Sequence, residues 1–316
     1  MKKYVFTIIY ISALLGFTTY LALETFVIPH AEVVVSQSTA DTNTDNNPTV
    51  IDLSDVNNSL LIAESDNTSE LDAGNAGVSL QSDPISITLS TYREYDTTIY
   101  VADVYISSPE YLKTAFANGT YGRNIKAATS EIAESVDAIL AINGDFYGSQ
   151  ETGYCIRNGC LYRSSADRDA QDLVIYSDGS FEIINESEIT AEELLANGAQ
   201  QVLSFGPALV ENGEVVVNED DEVGKAKTSN PRTAICYMGE GHYLFIVSDG
   251  RTDESEGLSL YQLALFAKSL GAQTVYNLDG GGSSTLYYNG EVINTPVSGK
   301  RNSSERSVSD IVYIGY

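Results

Sequence analysis

The chain has 316 residues, of which 43% are hydrophobic, and a formal net charge of -27 at pH 7. This length and apolar content are sufficient for one large buried core. The negative charge would repel nucleic acids and anionic membrane surfaces, which argues against both as binding partners of the chain, and any anionic substrate would need a local basic pocket.

The amino-terminal end has the pattern of a membrane anchor. Lys2 and Lys3 precede an uncharged apolar stretch over residues 4–23, which as a helix would be about 30 Å long and would match a bilayer core. A cleaved signal peptide is the alternative, although its apolar part is normally shorter. The next Lys or Arg is Arg93, so the positive-inside rule places residues 1–3 in the cytoplasm and the rest outside. The predicted location is the cell membrane, with a single span and an extracellular domain.

Residues 24–83 are predicted to be an acidic linker. The part from Ala31 to Asp83 is rich in Ser, Thr, Asn and Asp and has no basic residue, which is typical of a solvated, flexible spacer. The alternative is an ordered subdomain, because the aliphatic runs at residues 33–35 and 60–62 could pair as strands. From residue 84 to residue 316 the pattern becomes that of a folded domain.

Short strands and tight turns dominate this domain. An alternating pattern predicts a strand at Tyr100–Ile106, and an apolar run predicts another at Ala138–Ile142. Between them, Thr129 is the expected N-cap of a helix that reaches Val136. Dipeptides with hairpin-turn chemistry follow at Asn158-Gly159, Asp178-Gly179, Asn212-Gly213 and Asn289-Gly290.

The second half of the domain adds two helices and further strands. Thr190 and Glu193 form a capping box that predicts a short helix. Strands are predicted at Leu244–Val247 and Thr274–Leu278, and an amphipathic helix at Leu258–Leu270. Because strands outnumber helices and many are linked by hairpins, the predicted fold class is α+β. We expect a single domain with a mixed, largely antiparallel sheet and a few packed helices.

The cysteines and histidines do not have the pattern of a zinc site. Cys155 and Cys160 flank the Asn158-Gly159 turn, and hairpin geometry places them diagonally, so a disulfide between them stays open. Cys236 lies in an apolar run, as a buried free thiol would. The chain has only two histidines, and their spacing from the cysteines is not that of zinc ligands.

Polar residues follow three apolar strands at the points where the strands end. Asn143 and Asp145 follow the first strand, Asp249 follows the second, and Asn277 and Asp279 lie at the end of the third. Strand ends are places where a rigid scaffold presents functional side chains. The sequence therefore predicts that the three carboxylates converge on one cleft.

The third strand leads into a run of small residues, Gly280, Gly281, Gly282, Ser283 and Ser284. The residues after this run resemble a strand, so the glycines connect two strands and do not open a helix as Walker and Rossmann loops do. Successive glycines let a ligand approach main-chain N–H groups and could form an anion nest, with the serines as further donors. A tight bend without a ligand is the alternative.

Three arginines also lie at strand ends. Arg232 and Arg306 precede strands, and Arg251 follows one. A guanidinium group can chelate two phosphate oxygens, so these arginines beside a glycine nest would hold a phosphodiester. Surface ion pairs with the many carboxylates are the alternative.

Together the motifs resemble those of the phosphodiester glycosidase family. The matching stretches are INGDFY at Ile142–Tyr147, GYCIRNGCL at Gly153–Leu161, FGPALVENG at Phe205–Gly213, NPRTAI at Asn230–Ile235, VSDGR at Val247–Arg251, NLDGGGSSTL from Asn277, and the terminal ERSVSDIVYIGY. The resemblance covers roughly residues 100–316, and the glycine motif after a helix is its most specific part.

The resemblance implies hydrolysis of a sugar joined through its anomeric oxygen to a phosphodiester, as in N-acetylglucosamine 1-phosphodiesters of envelope or extracellular polysaccharide. Glycosidases usually use two carboxyl groups to reach the oxocarbenium-like transition state, one as base or nucleophile and the other as proton donor. Asp279 and Asp145 are expected to act as nucleophile or base and as proton donor or sugar ligand, in an order that stays open. Arg232, Arg251 and the loop amides would stabilise the departing phosphate, while Asp249 would orient Arg251 or bind a divalent cation.

Two features depart from the usual pattern of the family. The chain has 21 tyrosines and no tryptophan, so sugar stacking is expected from tyrosines such as Tyr147, Tyr154 or Tyr287. Ser309-Asp310 stands where many relatives carry small apolar residues, so no role is assigned to Asp310.

Two other functions fit parts of the pattern. Cleavage on the phosphorus side would release a sugar 1-phosphate, with clustered Asp residues holding Ca²⁺ or Mg²⁺, although the motifs themselves require no cofactor. A non-catalytic module would bind a polysaccharide without turnover. The oligomeric state stays open.

Overall fold

The computed structural model describes residues 10–11, 14–21, 23–24, 27–31, 36–37, 78–82, 84–221, 229–298 and 302–316. Residues 14–21 are helical. Among the described residues, no helix combines the length and the apolar character that a membrane crossing needs. Residues 4–9, 12–13 and 22 of the predicted anchor lie outside the described residues, as does most of the predicted linker.

Three sheets form the body of the described domain, and their strand pairings are antiparallel. The eight-stranded sheet contains β3 (Val78–Ser82), β4 (Ile85–Glu94), β5 (Thr97–Ile106), β14 (Ala208–Glu211), β15 (Glu214–Val215), β16 (Arg232–Gly239), β17 (His242–Ser248) and β18 (Thr274–Asn277). The six-stranded sheet contains β2 (Ser36–Gln37), β9 (Cys155–Arg157), β10 (Cys160–Arg163), β11 (Gln171–Tyr176), β12 (Phe181–Asn185) and β13 (Ala199–Leu203). The five-stranded sheet contains β6 (Leu112–Phe116), β8 (Leu140–Asn143), β19 (Leu286–Tyr288), β20 (Glu291–Val292) and β23 (Asp310–Ile314).

Two short strand pairs and three helices complete the domain. The pairs are β1 (His30–Ala31) with β7 (Gly122–Arg123), and β21 (Val297–Ser298) with β22 (Asn302–Ser303). The helices are α1 (Thr129–Ser135), α2 (Ala191–Ala196) and α3 (Leu260–Ser269). The predicted α+β fold class with a largely antiparallel arrangement is confirmed.

One apolar core lies among the three sheets, and each sheet also has its own smaller apolar core on its outer face. Alternate residues of a strand point to opposite faces. In β16, Ile235 therefore enters the central core, whereas Ala234 and Cys236 pack in the outer core beneath α3. In the same way, α1 covers the five-stranded sheet and α2 covers the six-stranded sheet. Strands buried on both faces explain the short continuous apolar runs in the sequence.

Local sequence signals account for most element ends. The capping box of Thr190 and Glu193 opens α2 as predicted, and Ser259 with Gln262 forms a second box at the start of α3. The predicted N-cap of α1 is wrong by one residue. The cap is Ala128, whose N–H donates to Glu131 at 3.0 Å, so Thr129 is the first helical residue.

The hairpin at Asn158-Gly159 forms with both residues at positive φ, as a type I′ turn requires. A bulge between Leu161 and Arg163 shifts the pairing, so Cys155 lies opposite Arg163. This differs from the register of a regular hairpin with a two-residue turn, which would place Cys155 opposite Tyr162. All three cysteines are free thiols, and Cys236 is buried as predicted.

Candidate active site

Strand ends from all three sheets meet around a pocket of about 600 Å³. The segments around it follow β8, β13, β17 and β18 and precede β16 and β23. Its lining residues are Phe146, Gln150, Phe205, Asn230, Arg232, Arg251, Leu278, Asp279, Gly280, Gly281 and Arg306. The sequence-predicted residues Asp279, Gly280, Gly281, Arg232, Arg251 and Arg306 are thus brought together.

Among the described residues, Asp279 is the only carboxylate in the lining of this pocket. One carboxylate oxygen accepts a hydrogen bond from the N–H of Gly280 at 2.9 Å, and the other accepts one from the hydroxyl of Ser283 at 2.6 Å. Burial raises the pKa of Asp279, against the lowering effects of Ser283 and Arg306. Desolvation favours the neutral form of a carboxyl group, so Asp279 is a stronger base than an exposed aspartate.

The glycines make room for two guanidinium groups. A Cβ atom at Gly281 would lie 2.7 Å from Nη2 of Arg251, and one at Gly282 would lie 3.0 Å from Nη2 of Arg306. Gly281 also has a φ of +64°, in the left-handed region that glycine tolerates best. The bare backbone beside Asp279 therefore lets two cations approach the loop.

Arg251 and Arg306 form an exposed pair of like charges. Partial desolvation of the Arg251 guanidinium, followed by repulsion from Arg306, lowers the pKa of Arg251. Within the described parts of the chain, neither guanidinium forms an ion pair. Arg251 is instead oriented by Asn230, whose Oδ1 accepts hydrogen bonds from Nε and Nη2 at 3.2 and 2.8 Å. Two adjacent cations facing a pocket provide a site for an anion.

Arg232 lies deeper in the wall of the pocket and is only 3% exposed. Its Nε donates to the carbonyl of Leu258 at 2.9 Å, and its backbone N–H donates to Ser248 at 2.9 Å. These contacts fix the side chain beneath the glycine loop. Arg232 therefore adds positive charge to the site from below.

The loop amides are mostly engaged within the protein, which differs from the expected anion nest. Gly281 donates to the carbonyl of Pro231 at 2.8 Å, while Ser283 and Ser284 donate to the carbonyls of Gly280 and Gly281 at 3.3 Å. With Gly280 bound to Asp279, these amides stabilise a 3₁₀ turn at Gly281–Ser283. Guanidinium groups supply the positive charge that the nest was expected to supply.

Two buried asparagines support the loop and do not line the pocket. Asn143 donates to the carbonyl of Asp279 at 2.6 Å and accepts from the hydroxyl of Thr233 at 2.8 Å. Asn277 donates to the carbonyl of Gly206 at 2.8 Å. Both residues, predicted as substrate ligands, therefore position the backbone around Asp279. Ser284 is also buried behind the loop.

Asp145 lies beneath the pocket in a buried ion network. Its carboxylate is 2.7 Å from Nη2 of Arg157, which also lies 2.8 Å from the carboxylate of Asp310. Burial, followed by repulsion from Asp145, raises the pKa of Asp310. Asp145 therefore does not line the pocket, because Arg157 holds it below, although the charge of Asp145 contributes to the raised pKa of Asp279.

Asp249 is also held away from the pocket lining. It accepts hydrogen bonds from the N–H of Thr295 at 2.8 Å and from the hydroxyl of Tyr100 at 3.2 Å, and burial raises its pKa. The expectation that Asp249 orients Arg251 is wrong, since Asn230 does so. In the part of the chain that the structure describes, no group of three or more His, Cys, Asp or Glu side chains could hold a metal ion.

The aromatic residues of the pocket are phenylalanines. Tyr147, Tyr154 and Tyr287, the tyrosines expected to stack on a sugar, are 1%, 3% and 4% exposed and belong to buried clusters. Phe146 and Phe205 line the pocket instead. Phe146 stands in the INGDFY motif directly after Asp145, and Phe205 opens the FGPALVENG motif.

Arg157 is the structural residue that sequence reasoning missed. The available signal was an arginine in the short strand between Cys155 and Gly159, where the flanking residues are apolar. Asp310 was assigned no role, yet it is the second partner of Arg157. The contact between Arg157 and Asp310 could not be predicted from the sequence, because the two residues are 153 positions apart.

The fold and the pocket define an α+β domain with a basic, anion-accepting site around one carboxylate. Residues 137–315 match the sequence model of the phosphodiester glycosidase family, which is more than half of the chain. The chain belongs to the phosphodiester glycosidase family.

Curated relatives match at low identity. An uncharacterized prophage-derived protein of Bacillus subtilis is 27% identical over 201 residues, covering 62% of this chain and 31% of that protein. The N-acetylglucosamine-1-phosphodiester alpha-N-acetylglucosaminidase of Mus musculus is 30% identical over 189 residues, covering 54% of this chain and 36% of that enzyme. The chain thus spans about a third of the length of these relatives.

Two solved structures share the fold. The zebrafish N-acetylglucosamine-1-phosphodiester alpha-N-acetylglucosaminidase catalytic domain, auto-inhibited by its pro-peptide, superposes with a TM-score of 0.59 at 22% identity, covering 77% of this chain and 88% of that chain. A hypothetical protein from Synechocystis gives a TM-score of 0.59 at 16% identity, covering 77% of this chain and 64% of that chain. At these identities the likeness shows the fold alone.

Proposed function

We propose that this chain hydrolyses the glycosidic bond of sugar 1-phosphodiesters, releasing the free sugar and a phosphomonoester. The observation that carries the proposal is that Asp279 and the cationic side chains of Arg251 and Arg306 line the same pocket. Membership of the phosphodiester glycosidase family supports the same chemistry. The N-acetylglucosamine 1-phosphodiester class is the substrate named for the mouse relative, and we include it in the proposal.

The leaving group explains why one carboxylate in the pocket suffices. Ordinary glycosidases use a second carboxyl group to protonate a basic leaving oxygen. A phosphate leaving group is already a weak base, so it mainly needs its negative charge stabilised. Arg251 and Arg306 would bind its oxygens, and Arg232 would add charge from below.

Asp279 would then act on the anomeric carbon, either as the nucleophile or as the base that activates water. Its two hydrogen bonds, from Gly280 and Ser283, fix the orientation of the carboxylate. The bond that breaks joins the anomeric carbon to the phosphate oxygen, and the electron pair leaves with the phosphate. As a base, Asp279 takes one proton from the attacking water, whose oxygen and remaining hydrogen become the hydroxyl group of the released sugar. As a nucleophile, Asp279 forms a glycosyl ester that water then hydrolyses to the same products. In both cases the other proton of the water passes to the phosphomonoester or to the solvent.

The test is to incubate the purified full chain with UDP-N-acetylglucosamine and simpler sugar 1-phosphodiesters while proton and phosphorus NMR follow the products. Free sugar together with a phosphomonoester would support the proposal, and the anomer formed first would distinguish a nucleophile from a base. Release of sugar 1-phosphate would show cleavage on the phosphorus side. Binding without turnover of any of these esters would show a binding module.

The location of the reaction is a further part of the proposal. Lys2, Lys3 and the apolar stretch over residues 4–23 favour an anchored chain whose folded domain acts on envelope or extracellular polysaccharide. Protease treatment of intact cells that express a carboxyl-terminally tagged chain tests this. Digestion of the tag would support an external domain, and protection until the cells are lysed would contradict it.

A further inference from the structure

Phe146 leaves a large apolar surface inside the candidate active site. Its side chain is 40% exposed, and it lines the same pocket as Asp279 and the arginines. Its ring meets that of Phe205 edge to face, with centroids 6.4 Å apart and an interplanar angle of 88°. An exposed aromatic ring in a concave, otherwise charged pocket favours an apolar part of a ligand.

The two phenylalanines are held in place by one buried carboxylate. Asp145 accepts a hydrogen bond from the N–H of Tyr147 at 2.9 Å, directly after Phe146. Its other oxygen accepts one from the N–H of Ser204 at 2.9 Å, directly before Phe205. Because Arg157 fixes Asp145 from below, both loops are tied to the same point.

The backbone of Phe205 has a further anchor. Its N–H donates to the hydroxyl of Tyr276 at 2.8 Å, and that hydroxyl donates to the carbonyl of Gln171 at 2.7 Å. The edge-to-face pair is therefore built on hydrogen-bonded backbone on both sides. Preorganised aromatic groups bind with little loss of conformational entropy.

We propose that the Phe146–Phe205 pair is the sugar subsite of this pocket, on which the apolar C–H face of a pyranose ring stacks while its 1-phosphate binds Arg251 and Arg306. The inference rests on the proposed function and further identifies Phe146 and Phe205 as the residues that bind the sugar ring. A pyranose has one face rich in C–H groups, and an aromatic ring buries such a surface favourably. Gln150, which also lines the pocket, can hydrogen-bond hydroxyl groups of the ring.

The proposal predicts that Phe146 contributes to the binding of the sugar and not of the phosphate. Isothermal titration of the full chain with N-acetylglucosamine 1-phosphate and, separately, with inorganic phosphate measures the two parts. In Phe146→Ala we expect about 10-fold weaker binding of the sugar phosphate, the size of an aromatic contact, and phosphate binding within about 2-fold of the wild type. Phe146→Leu should lie between the wild type and Phe146→Ala, since it keeps apolar surface without a flat ring.

The matched control is Tyr105→Ala, which removes an aromatic side chain that is 51% exposed at the far end of β5. It should bind both ligands as the wild type does. Equal weakening of sugar phosphate and phosphate in Phe146→Ala would overturn the inference, because Phe146 would then only support the anion site. Unchanged binding of both ligands would overturn it as well.

The outcome for the wild type separates this inference from the proposed function. A wild type that hydrolyses sugar 1-phosphodiesters while Phe146→Ala has an unchanged KM refutes the sugar subsite alone. A wild type that hydrolyses none of the sugar 1-phosphodiesters and binds neither inorganic phosphate nor N-acetylglucosamine 1-phosphate refutes the proposed function, and the inference with it.

Discussion

At the scale of single residues, Asp279 differs from the other two predicted carboxylates in what surrounds it. Its oxygens accept bonds from Gly280 and Ser283, on its own loop, and the carboxylate borders the pocket. The carboxylate oxygens of Asp145 and Asp249 instead accept hydrogen bonds from residues in other parts of the fold. Replacing a group that borders the pocket is therefore expected to cost less folding stability than replacing a group that holds elements together.

Replacing Asp279 tests the chemical role directly. In Asp279→Asn we expect kcat/KM for a sugar 1-phosphodiester to fall by more than about 100-fold, because the amide cannot act as nucleophile or base. Burial raises the pKa of Asp279, so in the wild type the acidic limb of the kcat/KM profile should lie above the usual aspartate value of about 4. Steady-state kinetics from pH 4 to 9 measure both effects. Asp253→Asn, at an exposed aspartate, is the control, and near-normal turnover by Asp279→Asn would remove the assignment.

Replacing Asp145 should instead affect folding. Asp145→Asn leaves the buried Arg157 with Asp310 as its remaining carboxylate partner, and breaking a buried ion pair costs about 3 to 5 kcal/mol. Urea unfolding followed by circular dichroism measures the loss, which should far exceed that of Asp279→Asn. If Asp145→Asn unfolds like the wild type but loses turnover, Asp145 belongs to the chemistry after all.

At the scale of elements, the glycine loop joins two sheets and carries the site. It leaves β18 in the eight-stranded sheet and enters β19 in the five-stranded sheet. Asn143, at the end of β8, clamps its backbone. Since the loop connects elements of different sheets, its shape depends on how these sheets pack. The position of Arg251 against Gly281 follows from that shape.

Comparing two glycines distinguishes the effect of a positive φ on stability from the effect of the close approach of Arg251 on ligand binding. Gly281 and Gly119 have φ values of +64° and +61°, but a Cβ at Gly119 would meet nothing within 4 Å. Both Gly→Ala changes should therefore destabilise the fold by about 1 to 2 kcal/mol through the left-handed backbone. Only Gly281→Ala should also displace Arg251 and weaken binding of inorganic phosphate by about 10-fold or more, the loss of one charge-assisted hydrogen bond. Equal phosphate affinity in both variants, measured by titration calorimetry, would contradict the role of the loop.

Elements with local signals could be predicted, and contacts between distant elements could not. Asn158-Gly159 sets its own turn because both residues tolerate positive φ, and Thr190 with Glu193 caps α2 within three residues of sequence. The same sequence logic identified Arg232, Arg251, Arg306 and Asp279 as residues at strand ends. It did not distinguish them from Asp145, because the partner of Asp145 is a buried arginine on another strand.

At the scale of the whole molecule, three sheets share one core, and each is closed by a helix on its outer face. Short continuous apolar runs predict that strands have two covered faces, but they do not say which sheet or helix covers each face. Those pairings depend on residues far apart in the chain, such as β5 beside β17. The strand ends that form the pocket come from all three sheets, so the pocket could be predicted only as a set of candidate residues.

A buried carboxyl pair gives the whole fold a predictable response to pH. Asp172 is fully buried in β11, and burial, followed by its contact with Glu186, raises the pKa of Asp172 to about 9. In the unfolded chain the same group titrates near 3.9. Between these two pKa values the folded state holds a proton on Asp172 that the unfolded state releases. The contribution of Asp172 to the free energy of unfolding is therefore complete below about pH 4 and is lost as the pH rises toward about 9.

Asp172→Asn removes this titration and supplies an amide N–H that can donate to Glu186 at every pH. We expect the free energy of unfolding of the variant, relative to that of the wild type, to increase steadily from pH 5 to pH 9, by at most about 1.4 kcal/mol per pH unit. Urea unfolding at each pH measures the difference, and Asp253→Asn reports the effect of removing one negative charge from a strongly acidic chain. If the difference between Asp172→Asn and the wild type is constant over this range, Asp172 does not carry a proton in the folded state.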